Sequence, residues 1–206
     1  MHKICLVLSF VLLVFSALPV HAEESVDTQY RQMVEQSKSM PAAFDFAKVR
    51  DLYTKTSFFS PYKTMVKHDF ATFFDRQKAG DQSVIADVEK YTDDNFSMFE
   101  VHSRANVLYA KLNQPERTTY HIWALRGLMT ALLSSGDGKS AQSAYKVVHM
   151  SEEYFVVRNV GPVTSQRLED KAMAGKIFDV LRVKQKDGTE KDFWFDITNV
   201  FGKGIP

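Results

Sequence analysis

The sequence predicts a single α+β domain, helices first and strands last, on three observations. From Val26 to Leu132 apolar residues recur at i, i+3, i+4 and i+7, the stripe of amphipathic helices. From Tyr145 onward β-branched and aromatic residues gather in short runs or alternate, as strands do. Seven of the nine glycines lie at or beyond Gly136, so turn chemistry is concentrated where strands need it. The change of character falls in Leu132 to Ser140 and divides the domain (23–206) into a helical part (23–133) and a strand part (134–206). About six helices in antiparallel hairpins with tetratricopeptide-like packing are expected, followed by a small antiparallel β-sheet. The roughly 34-residue period and full consensus of a tetratricopeptide array are missing, so the expectation stops at hairpin packing.

The chain opens on a secretory signal (1–22). His2 and Lys3 are a short basic start, Ile4 to Leu18 an apolar run, and Val20-His21-Ala22 supplies small-residue cleavage chemistry, with cleavage expected between Ala22 and Glu23. The apolar run of about fifteen residues is shorter than the roughly 20 a bilayer helix needs, so no stable membrane insertion is expected once the signal is gone. The single cysteine, Cys5, leaves with it, so the exported chain relies on its core without disulfides.

Val26, Tyr30, Met33 and Val34 form the first stripe, which Met40-Pro41 ends. Asp45 is placed to cap a second helix, with Phe44 and Val49 as a hydrophobic staple. Thr56 to Tyr62 reads as a loop because Pro61 turns Ser60 away from helical geometry, yet it carries the rings of Phe58, Phe59 and Tyr62. Those rings either fold back as core or form an exposed recognition surface. Met65, Val66, Phe70, Phe73 and Phe74 mark a third helix ended by Gly80, and Asp81 caps a fourth carrying Val84, Ile85, Val88 and Tyr91. Ala105, Leu108, Tyr109 and Leu112 mark a fifth. Asn113-Gln114-Pro115 leads into a sixth with His121, Ala124, Leu125, Leu128 and Leu132, where Gly127 implies close packing. Gly136 is expected to close that helix in a left-handed conformation, and Asp137-Gly138 to turn the chain.

Tyr145 to Met150 and Tyr154 to Arg158 read as a hairpin, while Thr164 to Ala174 gives little signal. Asp187-Gly188 is the signature of a two-residue hairpin turn. That register sets Val180 opposite Phe195, Arg182 opposite Phe193 and Leu181 opposite Trp194. Phe178, Val180, Phe193, Phe195 and Ile197 then face the helices, and Leu181, Val183 and Trp194 face away. A hairpin apolar on both faces is either sandwiched or binds something.

Composition narrows the function classes. Lysine and arginine number 26 against 25 acidic residues, and loss of Lys3 with the signal makes them equal. That removes the electrostatic footprint of a nucleic-acid binder. Gly138-Lys139-Ser140 resembles the end of a phosphate loop, but Leu133 stands where its first glycine belongs, and no strand precedes it. His68, His102, His121 and His149 show no metal-ligand spacing, and no cofactor motif is present. His102 and His121 can meet across the fifth and sixth helices as packing residues. A dense polar group, Asp137, Lys139, His149 and Glu153, stands at the α-to-β junction. It is the candidate catalytic set if the strands fold back over the loop, and a solvated turn otherwise.

Phe44 to Tyr53, Phe59 to Tyr62, Ser135 to Ser140 with Ala144-Tyr145, Ser151 to Arg158 and Phe193 to Ile197 together resemble the bacterial family called domain of unknown function 4919. The resemblance implies an exported protein with helices first and strands last. It brings no activity, so no catalytic residue comes with it. The expected function is a non-catalytic module of the cell envelope, periplasmic or secreted, that binds an unidentified protein or peptide. Its expected binding residues are Phe58, Phe59, Tyr62, Gly136, Asp137, Gly138, Lys139, Ser140 and Tyr145. A hydrolase built on the junction residues 137–153 and an immunity protein that blocks a toxin are the alternatives.

Overall fold

A computed structural model describes residues 24–61 and 66–203. The expected signal and its expected cleavage point, Tyr62 and Met65 lie outside the described residues. Six helices fill the first part: α1 (Val26–Ser37), α2 (Phe46–Tyr53), α3 (Val66–Lys78), α4 (Val84–Asp94), α5 (Phe99–Lys111) and α6 (Pro115–Leu133). Asp45 caps α2, its carboxylate accepting from the Lys48 amide at 2.8 Å. Phe44 packs onto the rings of Phe46 and Trp123. Asp81 accepts from the Ser83 amide instead of capping α4 directly, which starts at Val84. Pro115 opens α6 at a position whose missing N–H has no partner to lose.

The α5–α6 hairpin is the centre of this half, with α2 leaning on α6 and α3 on α5. Tyr30, Tyr53, Phe70, Phe96, Leu108 and Leu128 fill the space between them. Gly127 faces the Phe46 ring so closely that an added methyl would overlap it, the close packing its position implied.

The second half is a four-stranded sheet in the order β1-β4-β3-β2, from β1 (Tyr145–Lys146), β2 (Val163–Glu169), β3 (Phe178–Lys184) and β4 (Glu190–Asp196). β1 runs parallel to β4 and the other pairs are antiparallel, so the sheet is mixed where an antiparallel one was expected. β2 occupies the stretch of weak signal. As an edge strand with mostly exposed residues, it has no alternation to read.

Two expectations are corrected. Tyr145 to Arg158 is no hairpin: only two residues are strand, and Ser151–Val157 is a seventh helix, α7. The Glu152 carboxylate reaches back to accept from the Val148 amide at 2.8 Å, and the His149 carbonyl accepts from the Glu152 amide at 3.0 Å. These bonds, with the pairing of Glu152 to Arg50, override the β-propensity of Tyr154 to Val157.

The β3–β4 register is also one residue off. Val180 pairs with Trp194 and Leu181 with Phe193. The loop holds three residues, because the Gly188 amide donates to the Gln185 carbonyl at 3.0 Å and only Gly188, at φ +87°, is left-handed. One residue of slip changes faces. Leu181, Val183, Phe193 and Phe195 therefore pack with Leu132 towards the helices, while Phe178 and Val180 lie under Ala144, Ala141 and Met173. The hairpin is sandwiched.

Candidate functional site

The junction loop is built to hold itself. The amides of Asp137 and Gly138 both donate to the Ser143 carbonyl, at 2.9 and 2.8 Å, and the Gly138 carbonyl accepts from the Trp194 amide at 2.9 Å. Those amides are committed, so nothing remains to cradle a phosphate. Gly136 is not left-handed, contrary to expectation. It is needed because the Ser143 and Ala144 carbonyls press against it, and the left-handed residue is Gly138, at φ +68°, beneath the Tyr145 ring. Hydrogen bonds from Ser143 and Lys139 hold the Asp137 carboxyl well below the usual carboxylate range. Lys139 is its ion-pair partner at 2.9 Å, and Ser140 meets Ser143 at 3.1 Å.

Of the proposed catalytic set, Asp137 and Lys139 are exposed on this loop, whereas His149 is buried just before α7 and Glu153 is buried on α7 itself. None of the four lines a cavity described below. The rings of Phe58 and Phe59 fold back onto Tyr53, with Phe58 also edge-on to Tyr30, so the core alternative describes them.

Under α7 lies unusual chemistry. Arg50 forms a buried ion pair with Glu152 and also donates to the Lys146 carbonyl at 2.8 Å, joining α2 to the strand half. Glu153 is 0% exposed, and no group among the described residues donates to either of its carboxyl oxygens. Burial, then the neighbouring Asp179, pushes Glu153 up to about 9, so it holds a proton at neutral pH. Asp179 accepts from the Gln166 amide group through its other oxygen. In the helical half His102 and His121 do meet, Nδ1 to Nδ1 at 2.8 Å, as buried packing residues. Burial holds His102 down to about 4, and burial with the His102 charge holds His121 down to about 2.

Two cavities bear on function. A cleft of about 300 Å³ at the α-to-β junction is walled by Arg50, Asp51, Lys146, Lys176 and Asp196. Much of its charge is already paired, Lys176 to Asp196 at 2.8 Å and Arg50 to Glu152.

A larger groove of about 630 Å³ follows α5. Phe99, Ser103 and Val107 line it at i, i+4 and i+8, with Glu100 and Arg104 one step along, so a single stripe of α5 faces it. Beyond Phe99, which is itself buried, this stripe is separate from the buried one of Ala105, Leu108 and Tyr109. Leu125 and Met129 come from α6, Tyr154, Phe155 and Arg158 from α7 and its end, and Phe74 from α3. Val107 is 47% exposed and Tyr154 48%. The sequence held one sign of this site: Val107 is an apolar residue standing off the core stripe of its helix. Tyr154 to Arg158 gave none, having been read as strand.

Fold and groove together define an α+β protein whose helical hairpin, flanked by a short helix from the strand half, presents an apolar trough to solvent. The chain belongs to the family described as domain of unknown function DUF4919, whose model matches residues 20–203. No curated protein and no solved structure matches it.

Proposed function

We propose that this is a non-catalytic module of a bacterial cell envelope that binds a protein or peptide segment in the groove along α5. The observation that carries the reading is the groove itself: an apolar lining with exposed Val107 and Tyr154, at a volume within the range of small-ligand and peptide sites. Phe99, Phe74, Leu125 and Phe155 also pack into the core, while Val107 and Tyr154 stand out into the groove. Export is supported by the Ile4 to Leu18 run and the Val20 to Ala22 cleavage chemistry. No helix among the described residues is long and apolar enough to cross a membrane.

Selection of displayed random peptides on the chain from Glu23 onward tests the binding. The expected result is a set of enriched sequences whose binding is lost in Val107→Glu, an exposed position where the change leaves the fold intact. Enrichment of nothing, or of peptides indifferent to that change, removes the reading. N-terminal sequencing of the protein from an envelope fraction is expected to begin at Glu23.

A further inference from the structure

The groove's rim is charged, and its charges are spread along its length. At the first residue of α5, the Phe99 ring lies 4.7 Å from that of Phe155, over which the Arg158 guanidinium sits at 4.3 Å. Partway along, Arg104 pairs with Glu100 at 2.9 Å. At the last residue of α5, the Lys111 ammonium lies 5.2 Å over the ring of Phe74, which also lines the groove. From Phe99 to Lys111 is about 18 Å at about 1.5 Å per residue. Glu100 is the acidic residue among the groove's lining residues, and Arg104 already engages it. Lys111 and Arg158 are exposed and form no ion pair among the described residues. Arg158 therefore lines the Phe99 end of the apolar floor, and Lys111 stands just past its Val107 end, against the lining ring of Phe74.

We infer that the groove's occupant is an acidic amphipathic helix of about three turns, its apolar face on Val107, Met129 and Phe155 and its carboxylates against Arg158 at one end and Lys111 at the other. This deepens the proposed function and rests on it. Such a helix presents apolar residues at i, i+3, i+4 and i+7 to a groove and charges beside them, which is the pattern the two walls require. An anionic lipid has one charged head and answers only one of two cations set beside the opposite ends of α5. A groove open to water also leaves an acyl chain half exposed. The basic ends set the direction of charge preference and make binding sensitive to salt.

The probe is a fluorescein-labelled, end-blocked peptide of about fourteen residues with a leucine face and glutamates beside it, compared with versions carrying glutamine or lysine in place of the glutamates. Fluorescence anisotropy on the intact protein should show the glutamate version binding at least about tenfold more tightly than the lysine version at low salt, the gap narrowing as salt rises. In the double variant Lys111→Glu/Arg158→Glu the preference should reverse, and in Val107→Glu all binding should be lost. Circular dichroism confirms that both variants are folded. If the three peptides bind equally and Val107→Glu still abolishes binding, the groove reading stands and this inference falls. If no peptide binds, both fall. Binding of oleate that depends on Val107, with no peptide binding, also overturns the inference in favour of a lipid site.

Discussion

Glu153 lies on the buried face of α7 beside Asp179, with Glu152 next to it on the same helix and Arg50 of α2 paired with Glu152. Two buried carboxyls at one place cannot both be charged, so a proton stays on Glu153 up to about pH 9, whereas an unfolded chain releases it near 4.5. Between those values the folded state holds a proton that the unfolded state lacks. The contribution of this group to stability is therefore greatest below about 4.5, falls by up to about 1.4 kcal/mol per pH unit, and levels above about 9. Glu153→Gln places a neutral group beside Asp179 without needing a proton. Urea unfolding at several pH values is expected to give the variant a flatter profile and a higher midpoint than the parent at about pH 8. A parallel decline in both proteins would contradict a proton held on Glu153.

The helices and strands differ in how much of them the sequence revealed. α1 to α6 were legible because each buries one stripe of a regular period, and the Asp45 cap because its bond is local. Gly127 shows that a single anomaly in such a stripe carries information. On an open helix Gly127→Ala would gain about 1 kcal/mol, but overlap with the Phe46 ring makes a loss of about 1–3 kcal/mol the expected result. The loss should shrink when Phe46→Leu is added, a non-additivity that thermal melts of the two single variants and the double would read.

α7 was not legible, since its first amides are satisfied by His149 and its position is set by the pairing of Glu152 with Arg50, which lies 102 positions earlier in the chain. The β3–β4 register was missed because Asp187-Gly188 fits both a two-residue turn and the three-residue loop that forms. The candidate site was the least legible. Its walls come from four separate helices, and its one sign in the sequence is a single apolar residue, Val107, off the core stripe of its helix.

For the whole molecule, the buried groups of the two halves set opposite arms of the pH dependence. His102 and His121 stay neutral in the fold to about pH 4 and about 2, while unfolded histidines take up protons near 6.5. Unfolding therefore gains protons as pH falls below about 6.5, and stability drops with it. From there down to about 4.5 two histidines outweigh the single opposing slope of Glu153, and above about 6.5 Glu153 slopes alone among the three. These groups place the stability maximum near pH 6.5, which denaturant midpoints from about pH 4 to 9 would locate. A maximum beyond about pH 8 would mean other groups dominate.

One further consequence follows from where the two tryptophans lie. Trp123 is packed among Phe44, Phe46 and Tyr120 in the helical half, and Trp194 stands on the outer face of the sheet against Phe178. During refolding, the guanidinium that fastens the halves has no carboxylate until a stretch of chain 102 positions further on arrives, and such distant closures come late. Each indole therefore reports on its own hemisphere, so the emission of Trp123 settles first, and that of Trp194 follows as the sheet closes.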